Sequence, residues 1–282
     1  MNYRHAFHAG NFADVHKHTA LLALLSHLHR KPKPILYLDT HAGRGRYELH
    51  SADAQRGNEW RSGIGRLIDA TVASEDVRRY MDTLSAALAW SSGNAPATYL
   101  GSPLIALAVL RDIDRAVFVE RQPTEARVLE QQIAGRPRVS VVCDDGYAAM
   151  KAWLPPKENR GLVLIDPPYE AADEFAEADR ALRAGLARWP TGIFALWYPI
   201  KAGLESERLR RSLTESGLRK LLTLELCVRP RDSPLALNGS GLVVANPPWQ
   251  FDAQMKVAMS ELHRLLSVDG TGDHRVEWLV PE

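Results

Sequence analysis

Gly161-Leu-Val-Leu-Ile-Asp-Pro-Pro-Tyr169 is the stretch of the chain that decides its fold. Four aliphatic residues lead into Asp166 and two prolines, a pattern that indicates a buried strand with a turn at its carboxyl end. Consecutive prolines fix the backbone and lack amide donors, so the residues after Asp166 form a stiff loop. We therefore predict a buried strand that ends in Asp-Pro-Pro-Tyr.

Six other short aliphatic runs have the same character. They predict strands at residues 35–39, 116–120, 139–143, 193–198, 221–228 and 242–245. Helical patterns between or after them lie at residues 124–132, 171–189 and 252–266. Thr124 is expected to cap the first of these helices. Because strands alternate with helices, the sequence predicts an α/β fold whose seven strands form an open, mostly parallel sheet covered on both faces.

The interval from Gly45 to Glu120 is longer than a strand-helix-strand connection needs. Inside it, Ser74 can cap a helix with one apolar face, and the polar loop at 91–96 ends that helix. We predict a small helical insertion at roughly residues 48–103 within one domain spanning residues 1–282.

Composition limits the possible classes of protein. The two cysteines, Cys143 and Cys227, lie far apart in apolar runs, which favours core thiols over a disulfide framework or a thiolate metal site. Neither a transmembrane helix nor a secretion signal is indicated. A cytoplasmic location is therefore expected.

Charge is concentrated near the N-terminus. The whole chain has a net charge of +1, but its first fifty residues contain seven Lys and Arg, three Asp and Glu, and eight of the ten histidines. A polyanionic partner would need such a local patch. The histidine pairs His5/His8 and His16/His18 could suggest metal binding, but no cysteine or carboxylate cluster completes a site, so no metal is expected.

Three strand ends carry residues suited to an adenosyl ligand. The first ends in Asp39-Thr-His-Ala-Gly-Arg-Gly45, where Gly43 lets the backbone approach a ligand. Glu120 could accept hydrogen bonds from ribose hydroxyls, and Asp145 could accept one from an adenine amino group, although either could simply cap a helix. A nicotinamide dinucleotide requires Gly-x-Gly-x-x-Gly, and position 48 is Glu, so S-adenosylmethionine is the favoured cofactor.

The Asp-Pro-Pro-Tyr loop suits methylation of an adenine amino group. That nitrogen is a poor nucleophile, and acceptors such as the Asp166 carboxylate and the Pro167 carbonyl restore its electron density. Tyr169 can stack on a flipped base, which is worth about 1–3 kcal/mol. The alternative, a rigid turn with a buried tyrosine, is less favoured because a glycine turn and two acidic strand ends precede the loop. We predict Asp166, Pro167 and Tyr169 as catalytic residues.

A similar tetrapeptide, Asn246-Pro-Pro-Trp249, follows the seventh predicted strand. In methyltransferase-type sheets this strand is antiparallel, so its end lies at the edge opposite the ligands. We therefore expect a structural loop in which Trp249 contributes to packing.

Several further segments, spread from the first residues to the last, match the sequence pattern of one known family. They are Tyr3-Arg-His-Ala-Phe-His-Ala-Gly-Asn11, Leu38-Asp-Thr-His-Ala-Gly43, Gly101-Ser-Pro103, Ala195-Leu-Trp-Tyr-Pro199 and the terminal Trp278-Leu-Val-Pro-Glu282. With these segments the chain resembles the bacterial 23S ribosomal RNA adenine-N6 methyltransferase family J. The resemblance implies a Rossmann-like class I methyltransferase fold with a helical insertion between its first and second strands. It also implies N6-methylation of one adenine in 23S ribosomal RNA.

The resemblance assigns roles to individual residues. It implies contacts with S-adenosylmethionine at His18, His41, Ser102, Glu120, Asp145, Gly146 and Asp166. Asp166 also matches the family's proton acceptor, and Tyr3 matches a residue that contacts substrate RNA. His5 and Lys17 lie in the same matched segment and are expected to flank the site. Arg44 departs from the small residue often found there, which could alter the cofactor loop.

Two other functions remain open from the sequence. A DNA adenine-N6 methyltransferase uses the same loop chemistry, but such enzymes usually carry a target-reading module, and the modest insertion fits RNA better. The second alternative is a non-catalytic nucleic-acid-binding protein, connected with DNA uptake, that retains a methyltransferase fold. The intact Asp166 and Tyr169 argue against this alternative. The expected partner is 23S ribosomal RNA, without a membrane or an obligate protein partner.

Overall fold

The computed structural model describes residues 5–88, 97–234 and 237–281. The strands are β1 (Leu36–Asp39), β2 (Arg46–Glu48), β3 (Thr98–Leu100), β4 (Arg115–Val119), β5 (Val139–Val142), β6 (Gly161–Ile165), β7 (Ile193–Ile200), β8 (Leu221–Cys227), β9 (Gly239–Ala245) and β10 (Asp273–Val280). The helices are α1 (Phe12–His29), α2 (Ala52–Gly57), α3 (Glu59–Ser62), α4 (Glu75–Leu88), α5 (Ser102–Leu107), α6 (Pro123–Ile133), α7 (Gly146–Trp153), α8 (Glu174–Arg188), α9 (Glu205–Thr214) and α10 (Phe251–Leu266). Strands and helices thus alternate over most of the chain.

An eight-stranded sheet has the order β10-β8-β9-β7-β6-β1-β4-β5. Strands β5, β4, β1, β6 and β7 are parallel, whereas β9 is antiparallel to both β7 and β8. The predicted α/β class and mostly parallel sheet are confirmed. The predicted count of seven strands is wrong, because β10 pairs antiparallel with β8 at the sheet edge. Its alternating charged residues and partial exposure hid it from a search for buried aliphatic runs.

Side chains of the central strands alternate between two apolar layers. Tyr37 and Leu164 belong to the layer that contains α1 and α10, whereas Leu38 and Val163 belong to the layer that contains α7 and α8. Both faces of the sheet are therefore covered, as parallel strands require. The central strands are fully buried and position their carboxyl ends rigidly.

Helix α1 is buried on nearly every side and was missed by the sequence patterns. The Asn11 side chain caps it by accepting the amides of Ala13 and Asp14, each at 3.0 Å. The helix packs against α4, α5, α10 and β9. Because it has no solvent face, its apolar residues do not recur at helical spacing, and the polar ones serve internal contacts.

Between β1 and β4 the chain forms an antiparallel ribbon of β2 and β3, with Tyr47 opposite Tyr99. Helices α2, α3 and α4 lie between these two strands in sequence. The amide of Gly101 donates to the carbonyl of Gly45 at 2.7 Å, which ties the ribbon to the turn after β1. The predicted insertion boundaries lie in this region, and its predicted loop at 91–96 lies outside the described residues.

Three local predictions are wrong. Helix α6 begins at Pro123 after Gln122, so Thr124 lies inside its first turn and is not its cap. Cys143 is exposed, and only Cys227 is a core thiol. Trp249 is 83% exposed and so contributes little packing, whereas the side-chain amide of Asn246 anchors the loop by donating to the backbone carbonyls of residues 190 and 192. In the described part of the chain, no helix has the length and apolar character to cross a membrane.

Candidate active site

A cavity of about 700 Å³ opens at the carboxyl ends of β1, β4 and β6. Its lining brings together the predicted site residues within the described ranges, namely His5, Lys17, His18, His41, Gly43, Ser102, Glu120, Asp145, Gly146, Asp166, Pro167 and Tyr169. Tyr3 lies outside the described residues. Parallel strands collect these residues from distant parts of the chain at one sheet edge.

The glycine turn after β1 is fastened to the end of β4. The Gly43 amide donates to Glu120 Oε2 at 2.8 Å, and the Gln122 amide donates to Glu120 Oε1 at 2.7 Å. Gly43 has a φ of +63°, which favours glycine. Burial raises the pKa of Glu120 despite these amide donors. The carboxylate keeps acceptor capacity toward the cavity, because each oxygen has two lone pairs.

Arg44, which replaces the small residue common in the family, does not disturb the glycine turn. Its guanidinium forms a bidentate pair with Glu125, with Nε to Oε2 at 2.8 Å and Nη2 to Oε1 at 2.6 Å. Glu125 belongs to the first turn of α6, so the pair connects the glycine turn to that helix.

Asp145 and Gly146 lie where β5 passes into α7. Asp145 Oδ1 accepts the Ala148 amide at 2.9 Å and so caps the helix. A Cβ atom at Gly146 would lie 2.0 Å from the Thr40 carbonyl oxygen. The first turn of α7 therefore lies directly against the end of β1, which only glycine permits.

Lys17 joins helix α1 to the Asp-Pro-Pro-Tyr loop. Its buried ammonium contacts Asp166 Oδ2 and also lies 3.1 Å from Asp14 Oδ1. Burial alone would lower the pKa of Lys17, but Asp166 and Asp14 outweigh it and raise that pKa. Among the described residues none hydrogen-bonds Asp166 Oδ1, so this oxygen is available to an incoming donor.

Aromatic side chains border the same loop. Tyr169 has a φ of +52°, and its hydroxyl donates to the Trp197 carbonyl at 2.7 Å. Its ring lies edge-on to Trp197 with centroids 5.6 Å apart. The Trp197 indole lies 5.6 Å from Lys17 Nζ and donates to Ser240 Oγ at 2.9 Å. Lys17, Tyr169 and Trp197 thus surround the position next to Asp166.

Two of the histidines that line the cavity, His18 and His41, are uncharged at neutral pH. Burial lowers the pKa of His18 to about 3, and its Nδ1 lies 2.7 Å from the Tyr99 hydroxyl. Burial also lowers the pKa of His41 to about 4. His5 Nε2 lies 3.1 Å from Asp14 Oδ2. His18 and His41 therefore contribute shape and hydrogen bonding to the cavity and not positive charge, whereas the hydrogen bond with Glu59 raises the pKa of His8.

Among the described residues, the Lys and Arg side chains near the N-terminus do not form a basic patch around the cavity. Lys17 is buried between carboxylates, and Arg44 is paired with Glu125. The exposed residues Arg30, Lys31 and Lys33 precede β1 and therefore lie at the opposite sheet edge. Of the described residues, nine Asp and Glu line the cavity against four Lys and Arg. The cavity suits a cationic ligand and repels phosphate.

Sequence patterns missed three residues that shape the site. Asp39 is fully buried at the end of β1, accepts the Tyr37 hydroxyl at 3.0 Å, and has a pKa raised to about 6 by burial. Asp14 accepts the Gly10 amide at 2.9 Å and pairs with Lys17. Trp197 lies in the matching segment at 195–199, but the sequence assigned no role to it. Strand-end position could have identified Asp39, and the spacing of three from Lys17 on α1 could have identified Asp14.

Comparison with known proteins gives one consistent result. A family model described as ribosomal RNA large subunit methyltransferase D, RlmJ, matches residues 32–280. Proteins named ribosomal RNA large subunit methyltransferase J are 43% identical in Haemophilus influenzae and 39% identical in Escherichia coli, each over 282 residues and all of both chains. A crystal structure of a Legionella pneumophila protein is similar with a TM-score of 0.87 and 32% identity, covering 96% of this chain and 98% of that one.

Proposed function

The chain belongs to the ribosomal RNA large subunit methyltransferase family RlmJ, and from this premise we propose that it transfers a methyl group from S-adenosylmethionine to N6 of a specific adenine in 23S ribosomal RNA. The observation that carries the proposal is the juxtaposition of the Asp166 carboxylate with Lys17, Tyr169 and Trp197 in one cavity. We assign the reaction to the cytoplasm, with no obligate protein partner.

The cavity residues fit the cofactor by their chemistry. Glu120 would accept the ribose hydroxyls and Asp145 the adenine amino group, while Gly43 and Gly146 allow the backbone to come close. His18, His41 and Ser102 would complete the lining. The excess of carboxylates favours a sulfonium cation. When bound, the cofactor supplies an electrophilic methyl group.

The loop residues would prepare the adenine amino group. Asp166 Oδ1 and the Pro167 carbonyl would accept its two hydrogens and raise electron density on nitrogen, and Asp166 would take the proton released on methyl transfer. Lys17 holds the Asp166 carboxylate in place through Oδ2. Tyr169 would stack on the flipped base, with Trp197 at its edge. Tyr3 and His5 are assigned to the RNA side of the site.

The test is transfer of labelled methyl from S-adenosylmethionine to protein-free 23S RNA, 16S RNA and duplex DNA in parallel. We expect label only in 23S RNA, as N6-methyladenine at one position. Asp166→Asn keeps the size of the side chain and removes the carboxylate, so transfer should fall at least about 100-fold while cofactor binding persists. Label in DNA would replace the RNA assignment, and full activity of Asp166→Asn would refute the catalytic role.

A further inference from the structure

An RNA methyltransferase with an acidic cavity needs another surface for phosphates. In the part of the cavity that the structure describes, carboxylates are more than twice as numerous as Lys and Arg side chains. The net charge of the chain is +1, so attraction by the molecule as a whole is weak. A local basic surface beside the cavity would supply the attraction to the phosphates that the cavity itself does not.

A second groove of about 1000 Å³ lies between α4, α5 and the end of α6. Strand β2 lies between this groove and the active-site cavity, so the two are neighbours. Tyr47 of β2 lines the cavity, and the preceding residue, Arg46, lines the groove. Successive side chains of a strand point to opposite faces, which explains this division. Arg46 also directly follows Gly45, at the end of the glycine turn.

Arginines dominate the polar lining of this groove. Four arginines face two carboxylates there, and one of the carboxylates, Glu75, is already paired with Arg79 at 2.6 Å. In the described ranges, Arg46, Arg78 and Arg136 form no ion pair with a carboxylate. Arg78 and Arg136 donate only to backbone carbonyls, which orient the guanidinium without neutralising it.

The remaining lining suits the sugars and bases of a strand. Half-buried Leu104 and the exposed Ala86, Ala87 and Ala108 contribute apolar lining beside the arginines. Guanidinium groups present forked donors that match phosphate oxygens, so several arginines beside apolar lining fit a nucleic-acid backbone. The exposed Arg30 and Lys33 do not compete for this role, because they lie at the opposite edge of the sheet.

We propose that this groove binds the phosphate backbone of the RNA strand next to the target adenine, with Arg46, Arg78 and Arg136 as the phosphate-contacting residues. The proposal rests on the proposed function, since it supplies the substrate affinity that the acidic cavity lacks. A base flipped from the bound strand would enter the cavity on the other side of β2. The groove thus determines where the RNA lies, and the cavity determines which base reacts.

The experiment measures binding of protein-free 23S RNA by filter retention at several KCl concentrations. Each arginine that neutralises a phosphate contributes about 0.7–0.9 to the slope of log affinity against log salt. Arg46→Ala/Arg136→Ala should therefore reduce that slope by about 1.4–1.8, raise KM for RNA and leave S-adenosylmethionine affinity unchanged. Arg46→Lys/Arg136→Lys keeps both charges and should keep the slope.

The matched control is Arg30→Ala/Lys33→Ala, which removes the same number of exposed charges from the opposite edge. Its slope should equal that of the wild type. An unchanged slope in the groove variant, an equal loss in the control, or no RNA binding by the wild type would overturn the proposal. RNA binding with the predicted slope loss but no methyl transfer would support the groove and refute the proposed function alone, so the two failures are distinguishable.

Discussion

Lys17 is the residue on which the internal geometry of the site most directly depends. It is 5% exposed and lies between the carboxylates of Asp14 and Asp166, so one cation from α1 positions the loop after β6. Buried charges are tolerated when they are paired with opposite charges. Removal of one charge from such a group leaves its partners buried without compensation, which destabilises the folded protein. The carboxylate that we propose as catalytic, Asp166, is therefore held by a residue outside its own motif.

Replacement of Lys17 by methionine, which preserves chain length and removes the charge, should destabilise the protein by about 3–5 kcal/mol. The reason is that Asp14 and Asp166 would then face one another in a buried position. Urea unfolding followed by circular dichroism measures the change. Adding Asp14→Asn to Lys17→Met should recover part of the stability but not the methyl transfer. Equal urea midpoints for Lys17→Met and the wild type would contradict this account.

At the scale of elements, the junction between α7 and β1 determines how closely the two loops that we propose to hold the cofactor approach each other. Gly146 is the first residue of α7, and its Cα faces the Thr40 carbonyl with no room for a side chain. The motif that supplies Asp145 therefore needs glycine at the next position for packing, independently of any ligand contact.

Gly146→Ala should cost about 1–3 kcal/mol of stability, because the added methyl forces α7 away from the end of β1. It should also weaken S-adenosylmethionine binding, since Asp145 moves with the helix. Calorimetric titration and thermal unfolding measure the two effects. Gly135→Ala is a useful comparison: nothing lies within 4 Å of the added Cβ, and only its φ of +78° causes strain. Cofactor affinity should not change in that variant.

For the whole molecule, buried histidines determine how stability depends on pH. Burial lowers the pKa of His16 and His18 to about 3 and that of His41 to about 4. Between those values and about 6.5, the unfolded chain binds protons that the folded protein does not. Stability therefore rises with pH through this window. Asp39, with a pKa raised to about 6, acts in the opposite direction between about 4 and 6.

More histidines have a lowered pKa than there are groups with a raised one, namely His8, Asp39, Glu120 and Glu174, so we expect the protein to lose stability as pH falls from 6.5 toward 4. Each buried histidine contributes a slope of at most about 1.4 kcal/mol per pH unit. His16→Gln should reduce the pH dependence of the unfolding free energy by one such contribution, because the glutamine side chain does not titrate. The measurement is the urea unfolding free energy of both proteins between pH 5 and 7. Identical slopes would show that His16 is protonated equally in the folded and unfolded states.

The sequence by itself determined the α/β class, the sheet of mainly parallel strands and the position of the Asp166 loop at the end of a buried strand. These features are local: aliphatic runs, glycine turns and a proline pair restrict the backbone over a few residues. Strand-end residues such as Glu120 could also be assigned to one site, because parallel strands bring their carboxyl ends together. The matching segments extended that assignment to the family.

Only the tertiary structure decided the contacts between distant residues. Lys17 meets Asp166 across 149 positions, and no local pattern contains that pairing. Helix α1 has no periodic apolar face because it is buried all round, and β10 lacks an aliphatic run because it lies at a partly exposed edge. The arginine groove likewise needs β2, α4 and α6 together. Local patterns report backbone preference and the number of buried faces, whereas charge pairing and surface shape depend on which elements become neighbours.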